Sequence, residues 1–306
     1  MSKVTDLASA IGTHIDPGTE VYLGGFTHLI PFAAGHEIIR QEIGGLRVIR
    51  TTPDLVVDRL VAAGLVDSVC FSYAGNPGVG SLRAFRRAVE SRVPRSIGIE
   101  EYSHLALVTR LDAGARGLPF LPVRTALGTD LPAVNEAFQT VENPYDTGPD
   151  VVAVVPPMNP EVAIVRAQRA DAEGNAHLWG IHGEIVEAVF AAETVILSVE
   201  ELVDGAVIRS DPNRTVIPGP EVDAVVEVPY GSHPSYAHGY YNRDNEAYLA
   251  WDVVTQTHEG TLQWLEEYVH SIDDHAGYLE LVGDDRFDGL SVADAPTEPA
   301  NMGRYG

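Results

Sequence analysis

Two doubled glutamates close apolar, strand-like runs: Glu100-Glu101 after SIGI and Glu200-Glu201 after TVILSV. A carboxylate is ionised at neutral pH, so it can attack a thioester without a partner base. Desolvated, it serves instead as a general base with a raised pKa. The plainer role for either pair is a solvated strand exit. Glu101 is the stronger candidate, because it precedes a helix starting near His104 and the stiff GLPFLP turn at 117–122. Gly24-Gly25-Phe26 ends an earlier apolar run just before a helix. Ligands of open α/β sheets bind at strand carboxyl ends, and paired glycines let backbone N–H groups close on an anion or thioester oxygen. A tight strand-to-helix turn would use the same residues. In AGNPGVG (74–80), Gly75, Asn76 and Gly78 form a flexible anion loop, Ser81 caps the next helix, and Arg83, Arg86 and Arg87 supply charge. Those arginines could equally pair with carboxylates on a solvated helix face.

The segment Tyr230–Tyr248 (YGSHPSYAHGYYNRDNEAY) mixes tyrosines and histidines with Gly231, Pro234 and Gly239, which interrupt any helical period. A loop of this length in a compact domain is usually functional. Tyrosine offers a flat apolar face and a hydroxyl, so the segment is expected to shape a ligand pocket or a subunit contact, with Tyr230 and His233 facing the ligand. No metal site is expected: His177/His182 and His233/His238 do not share one helix face, and H-E-x-x-H is absent. A G-x-S-x-G elbow, a P-loop and a dinucleotide fingerprint are also missing.

The elements that must position these groups alternate. Strands at 20–23, 46–51, 68–73 and 97–102 are separated by helices at 32–43, 55–63 and 82–92, after an opening helix at 4–15; a further helix follows at 104–115. That alternation predicts an open, largely parallel α/β sheet flanked by helices. The second half repeats it less regularly, with strands at 151–155, 161–167, 194–199 and 222–228, a DAEGN hairpin turn, a helix at 184–192 and helices over 245–268. Residues 1–283 read as one domain, and the acidic, Pro-containing 284–306 as a poorly ordered tail.

Composition bounds the setting. Asp and Glu number 44 against 20 Lys and Arg, and Lys3 is the only lysine. This excludes an extended basic face for nucleic acid and suggests a saline cytoplasm. No run approaches the ~18 apolar residues of a membrane helix. The lone Cys70, within DSVCFSY, reads as a small buried apolar residue.

Taken together, VYLGGF at 21–26, YAGNPGVG at 73–80, EEYSHLAL at 100–107, GLPFLPVRTALGTD at 117–130, VAIVRAQRADAEGNAH at 162–177, SVEELV at 198–203 and the tyrosine-rich segment resemble the α-type subunits of family I coenzyme A transferases, in particular the glutaconate type. The resemblance implies a heteromer in which a β-type subunit, with a Ser-Glu-Asn-Gly motif absent here, supplies the glutamate that exchanges coenzyme A between carboxylic acids. A coenzyme A thioester would then be a substrate, with no permanently bound cofactor, and this chain alone would be catalytically incomplete. Gly24, Gly25 and Phe26, with the tyrosine-rich segment, would face the partner's nucleophile. A related group of the same fold hydrolyses cyclic diketone thioesters in steroid-ring degradation, and Glu101 matches its working glutamate. A non-catalytic subunit that only binds coenzyme A is the third expectation. For a dicarboxylate substrate, Arg124 and Arg243 are the cations available to the pocket.

Overall fold

A computed structural model of the chain describes residues 2–76, 78–145, 148 and 150–292. The first half alternates as the sequence predicts: α1 (Leu7–His14), β1 (Glu20–Leu23), α2 (Phe32–Arg40), β2 (Leu46–Ile49), α3 (Leu55–Ala62), β3 (Val66–Phe71), α4 (Arg83–Ser91), β4 (Gly98–Glu101) and α5 (His104–Ala115). Capping explains several of the starts. Asp6 accepts from Ser9 N–H, Asp54 from Val56 N–H and Ser103 from Ala106 N–H.

The second half supplies β5 (Leu121–Val123), β6 (Gln139–Glu142), β7 (Val151–Val155), β8 (Val162–Ala170), β9 (Ala176–His177), β10 (Thr194–Leu202), β11 (Thr215–Ile217) and β12 (Ala224–Glu227). The parallel part of the main sheet runs β12-β10-β8-β1-β2-β3-β4. At its edge, β8 turns through DAEGN into β9, where Asp171 Oδ1 accepts from the N–H of both Glu173 and Asn175.

Successive strand residues feed opposite faces. Val21, Leu23, Val48, Ile164 and Ile196 pack under α2, α3 and Trp251, whereas Tyr22, Ile49, Val165 and Leu197 pack under α5 and the helix Ile185–Ala191. Covering both faces is why these strands read as nearly continuous apolar runs.

Three expectations are corrected. The GLPFLP stretch leads into β5 of a second, antiparallel sheet, β5-β7-β6, rather than forming only a turn. Val4 belongs to no helix; it bridges to Val225, and Lys3 ties the N-terminal segment down through Nζ to the Gly219 carbonyl at 2.8 Å. Ordered structure also continues past residue 283. Asp284–Asp288 is helical, Phe287 and Leu290 are buried, and Arg286 Nε meets Asp244 at 2.7 Å. Residues 293–306, the rest of the predicted tail, lie outside the described residues.

The core also holds groups that titrate. Burial holds His28 at about 4 and His36 well below its ordinary value, and lowers His233 against the pull of Asp244. Burial pushes Asp58 up to about 6, although the Phe85 N–H and Trp251 Nε1–H bonds oppose it. For a histidine with a lowered folded pKa, the unfolded chain binds more protons, so stability is present above pH ~6.5 and lost as pH falls toward 4. His28 alone accounts for about 3 kcal/mol of that loss. Asp58 has the opposite sign, contributing below pH ~4 and losing this through pH 6, so it offsets roughly one histidine. The expected outcome is a denaturant midpoint that falls steadily between pH 6.5 and 4.5. A flat midpoint across that range would show that these histidines charge freely in the fold.

Candidate active site

Three strand-end loops and one long segment converge at the carboxyl edge of β1, β2 and β3. The loop after β1 is strained: Gly25 has φ of 87°, and Thr27 and Leu29 hold 65° and 52° despite their side chains. Non-glycine residues stay in the left-handed region only when their surroundings over-determine them, and here the tyrosine-rich segment does so. Leu29 N–H donates to the Tyr236 carbonyl at 2.9 Å, Ser235 Oγ donates to the Thr27 carbonyl at 2.8 Å, and His28 stacks on Tyr236. His28 Nε2 donates to the Ile181 carbonyl at 2.6 Å. Gly25 is required sterically, since a Cβ there would lie 2.5 Å from the Leu29 carbonyl oxygen.

The first glycine does a different job from the one its sequence suggests. Gly24 N–H is spent on the Ile164 carbonyl at 2.9 Å, extending the β1–β8 pairing, and its carbonyl accepts from Arg50 Nη1 at 2.5 Å. The N–H groups of Gly25 and Phe26 donate to no acceptor among the described residues. Any backbone contact with a ligand oxygen therefore falls to Gly25 and Phe26.

A cavity of about 190 Å³ opens beside this loop. Phe26, Thr27 and Ile30 form one wall, and Thr52 and Asp54 line it from the β2–α3 turn. Tyr73, Gly75 and Asn76 come from the loop after β3, and Arg243 and Tyr248 close it from the tyrosine-rich segment and its helix. Asp54 is the one carboxylate among the described lining residues, and it is committed: Oδ2 pairs with buried Arg50 at 2.8 Å while Oδ1 caps α3. The guanidinium of Arg243 lies 4.2 Å over the Tyr248 ring. Beside Phe26, His104 packs edge-on at 5.8 Å, with its Nδ1 3.0 Å from Ser72 Oγ. Ser72 already donates its hydroxyl hydrogen to the Thr51 carbonyl, so His104 Nδ1 is the donor in this contact.

The other sequence candidates lie elsewhere. Gly78 and Ser81 are exposed and do not line the cavity. Leu82, not Ser81, is the N-cap of α4 and makes no side-chain cap; Ser81 N–H goes to Asp252 Oδ1 at 2.8 Å. Gly80 is small because Asp252 packs there, with a Cβ only 2.5 Å from the Asp252 Cβ. The arginines of α4 are spent within the chain: Arg83 on Asp252, Arg86 on Glu90, and Arg87 on Thr261 and the Thr255 carbonyl. The arginine cluster is thus a paired helix face.

Glu101 is exposed and lines a separate shallow groove with Ile99 and Val134, its carbonyl held by Asn135. Glu100 is tied to Arg110 at 3.0 Å. Arg124 is exposed and does not line the cavity. His233 is buried beneath the site, between Asp244 at 3.0 Å and Tyr278 at 2.7 Å. Tyr230 packs on Tyr241 and Phe287. Sequence reasoning placed His233 and Tyr230 at the ligand because it could not tell the inward face of the loop from the outward one. It missed Thr52 and Asp54 on the wall and Arg50 behind it, for which the Pro53-Asp54 helix start was the available signal.

These features define an α/β protein of the open-sheet class, with a cavity at strand carboxyl ends, where ligands of such sheets bind. The chain belongs to the coenzyme A transferase family, whose model, described as Coenzyme A transferase, matches residues 4–228. It is 44% identical to the A-type subunit of 3-oxoadipate CoA-transferase from Pseudomonas knackmussii, over 93% of this chain and 99% of that protein. It is 35% identical to the A-type subunit of glutaconate CoA-transferase from Acidaminococcus fermentans, over 95% of each. The crystal structure of glutaconate coenzyme A-transferase from that organism superimposes with a TM-score of 0.89 and 34% identity, covering 96% of each chain. The cholesterol ring-cleaving hydrolase IpdA subunit of Mycobacterium tuberculosis is a more distant relation, 28% identical over 78% of this chain and 83% of that protein.

Proposed function

We propose that this chain is the A-type subunit of a heteromeric acyl-CoA:carboxylate CoA-transferase. Gly25, Phe26, Gly75 and Asn76 bind the thioester, and a β-type subunit brings the attacking glutamate. The observation that carries the reading is the cavity itself: apart from Arg243 its described walls are backbone and neutral side chains, and its one described carboxylate, Asp54, is locked to Arg50. A transferase that works through an acyl-glutamyl intermediate needs a free carboxylate there, so the nucleophile must arrive from outside. Tyr73 on the cavity wall and Leu105 beside His104 are 54% and 53% exposed, an apolar rim suited to a partner subunit.

The names of two relatives, 3-oxoadipate and glutaconate CoA-transferase, both refer to dicarboxylic acids and support a dicarboxylic acyl class. Among the described residues no helix is long and apolar enough to cross a membrane. We place the protein in the cytoplasm and read its acid-rich, nearly lysine-free composition as adaptation to salt.

The deciding experiment compares the chain alone with the chain co-purified with its β-type subunit, following coenzyme A transfer from an acyl-CoA to a carboxylic acid. The expected result is turnover by the complex and none by either subunit. Full transfer by the isolated chain would refute the reading.

A further inference from the structure

We propose that Arg50 is a positioning residue: it locks the Gly24–Gly25 peptide so that the Gly25 N–H faces the thioester oxygen, a role that rests on the transferase reading above. A Gly-Gly peptide is the one most easily turned over, because neither neighbour carries a Cβ to oppose rotation of its plane. Turned over, it would present a carbonyl oxygen where negative charge develops on the substrate, and repel it. The Gly24 N–H bond to the Ile164 carbonyl, at 2.9 Å, fixes the preceding peptide and not this one. The Gly24 carbonyl has Arg50 Nη1, at 2.5 Å, as its one partner among the described residues. The same nitrogen also gathers the Leu23 carbonyl at 2.9 Å. In a planar trans peptide the C=O and N–H bonds point in opposite directions, so holding the oxygen aims the hydrogen. Arg50 holds that oxygen from behind the wall that Asp54 lines, so the N–H opposite it faces the cavity side, where Phe26 continues the wall.

The guanidinium is itself held. It is 1% exposed, and its Nη2 meets Asp54 Oδ2 at 2.8 Å. The other oxygen of Asp54 accepts from Val56 N–H at 3.2 Å, at the start of α3. A rigid path therefore runs from the α3 terminus through Asp54 and Arg50 to the Gly24 carbonyl and the Gly25 N–H. A charge pair kept only for stability would need the Asp54 bond alone. The two added carbonyl bonds, converging from the strand end that carries the strained loop, are what assign Arg50 to that loop. The planar fork is also needed: it reaches a carboxylate and two carbonyls at once, which a lysine ammonium on a flexible stem does not reproduce. Asp54 thereby acquires a task on the cavity wall other than nucleophilic attack.

The test uses the complex with its β-type subunit, glutaryl-CoA as donor, acetate as acceptor, and two variants. Arg50→Lys keeps a charge beside Asp54 and loses the fork. The double variant Arg50→Met, Asp54→Ser removes the buried pair but keeps a hydroxyl to cap α3, so its urea midpoint should lie near that of the wild type. Both should lose kcat by about 100-fold, with KM for glutaryl-CoA within about threefold of the wild type. Infrared difference spectra give a readout without turnover, using an isotope-labelled ketone analogue of glutaryl-CoA with CH2 in place of sulfur. The wild-type complex should lower the carbonyl frequency below its value in water, and both variants should return it toward that value. A folded variant with kcat within about threefold of the wild type overturns the proposal, as does a carbonyl band that the variants leave unmoved, or a rise in KM at constant kcat. Should the double variant not fold, Arg50→Lys decides by the same criteria; loss of folding in both marks Arg50 as structural and also overturns the proposal. If the wild-type complex transfers nothing yet lowers the band through Arg50, the transferase reading fails while the proposal stands; if it does neither, both fail.

Discussion

Glu200→Ala is expected to destabilise the protein by about 3–5 kcal/mol, the loss typical of stranding one member of a buried ion pair. Glu200 sits on β10 with only 6% of its surface exposed, and each of its oxygens is used. Oε1 accepts from Arg166 and, at 2.9 Å, from the Tyr241 hydroxyl, while Oε2 accepts from Tyr230 N–H at 2.6 Å. Arg166 is fully buried on the neighbouring β8 and donates further to Ser198 Oγ at 3.1 Å and the Val228 carbonyl at 2.9 Å. Removing the carboxylate leaves a guanidinium in an apolar interior and two orphaned donors. Urea denaturation of the variant should show the lowered midpoint. The double variant Arg166→Met, Glu200→Leu should regain at least half of the loss, because it removes the buried charge as well. A cost below about 1 kcal/mol for the single change, or additive costs in the pair, would show that water reaches this network.

That network explains how far the site was legible before the fold was known. The β-α alternation, the strand-end loops at Gly24–Phe26 and Gly75-Asn76, and the importance of Tyr230–Tyr248 are local properties, carried by glycine placement and apolar period. The direction of each side chain in the long segment is not local. The Tyr230 ring packs on Tyr241 and Phe287 and His233 meets Asp244, while Arg243 and Tyr248 reach the cavity, and no period separates the two sets. The packing of Gly231 against Arg166 is equally invisible, although a Cβ there would collide with the guanidinium. In the small sheet β7 was expected at 151–155, but β6 was unreadable for another reason. Gln139–Glu142 is exposed at every position, so it shows no alternation of apolar and polar residues. Doubled glutamates look alike in sequence, yet Glu200 is a buried structural anchor, Glu100 a salt-bridge partner and Glu101 an exposed edge residue.

Gly25→Ala is expected to abolish transfer by the complex, with a fall of about 100-fold or more, while leaving most of the fold intact. Two penalties meet at this residue. A φ of 87° is unfavourable for alanine by about 1–2 kcal/mol. The added methyl would also lie 2.5 Å from the Leu29 oxygen and 2.6 Å from the His28 oxygen, both backbone atoms that cannot rotate away. The loop must therefore shift as a unit, and with it the Gly25 and Phe26 N–H groups that donate to nothing within the described chain. Losing one such donor to a developing oxyanion typically costs about 10²–10³ in rate. Gly18→Ala supplies the control. Its φ is 91°, but nothing lies within 4 Å of the new methyl, so it carries the backbone penalty without the collision. If the two variants lose similar stability while only Gly25→Ala loses turnover, the loop acts through its amide geometry. Activity within threefold of wild type in a folded Gly25→Ala complex would remove this loop from the chemistry.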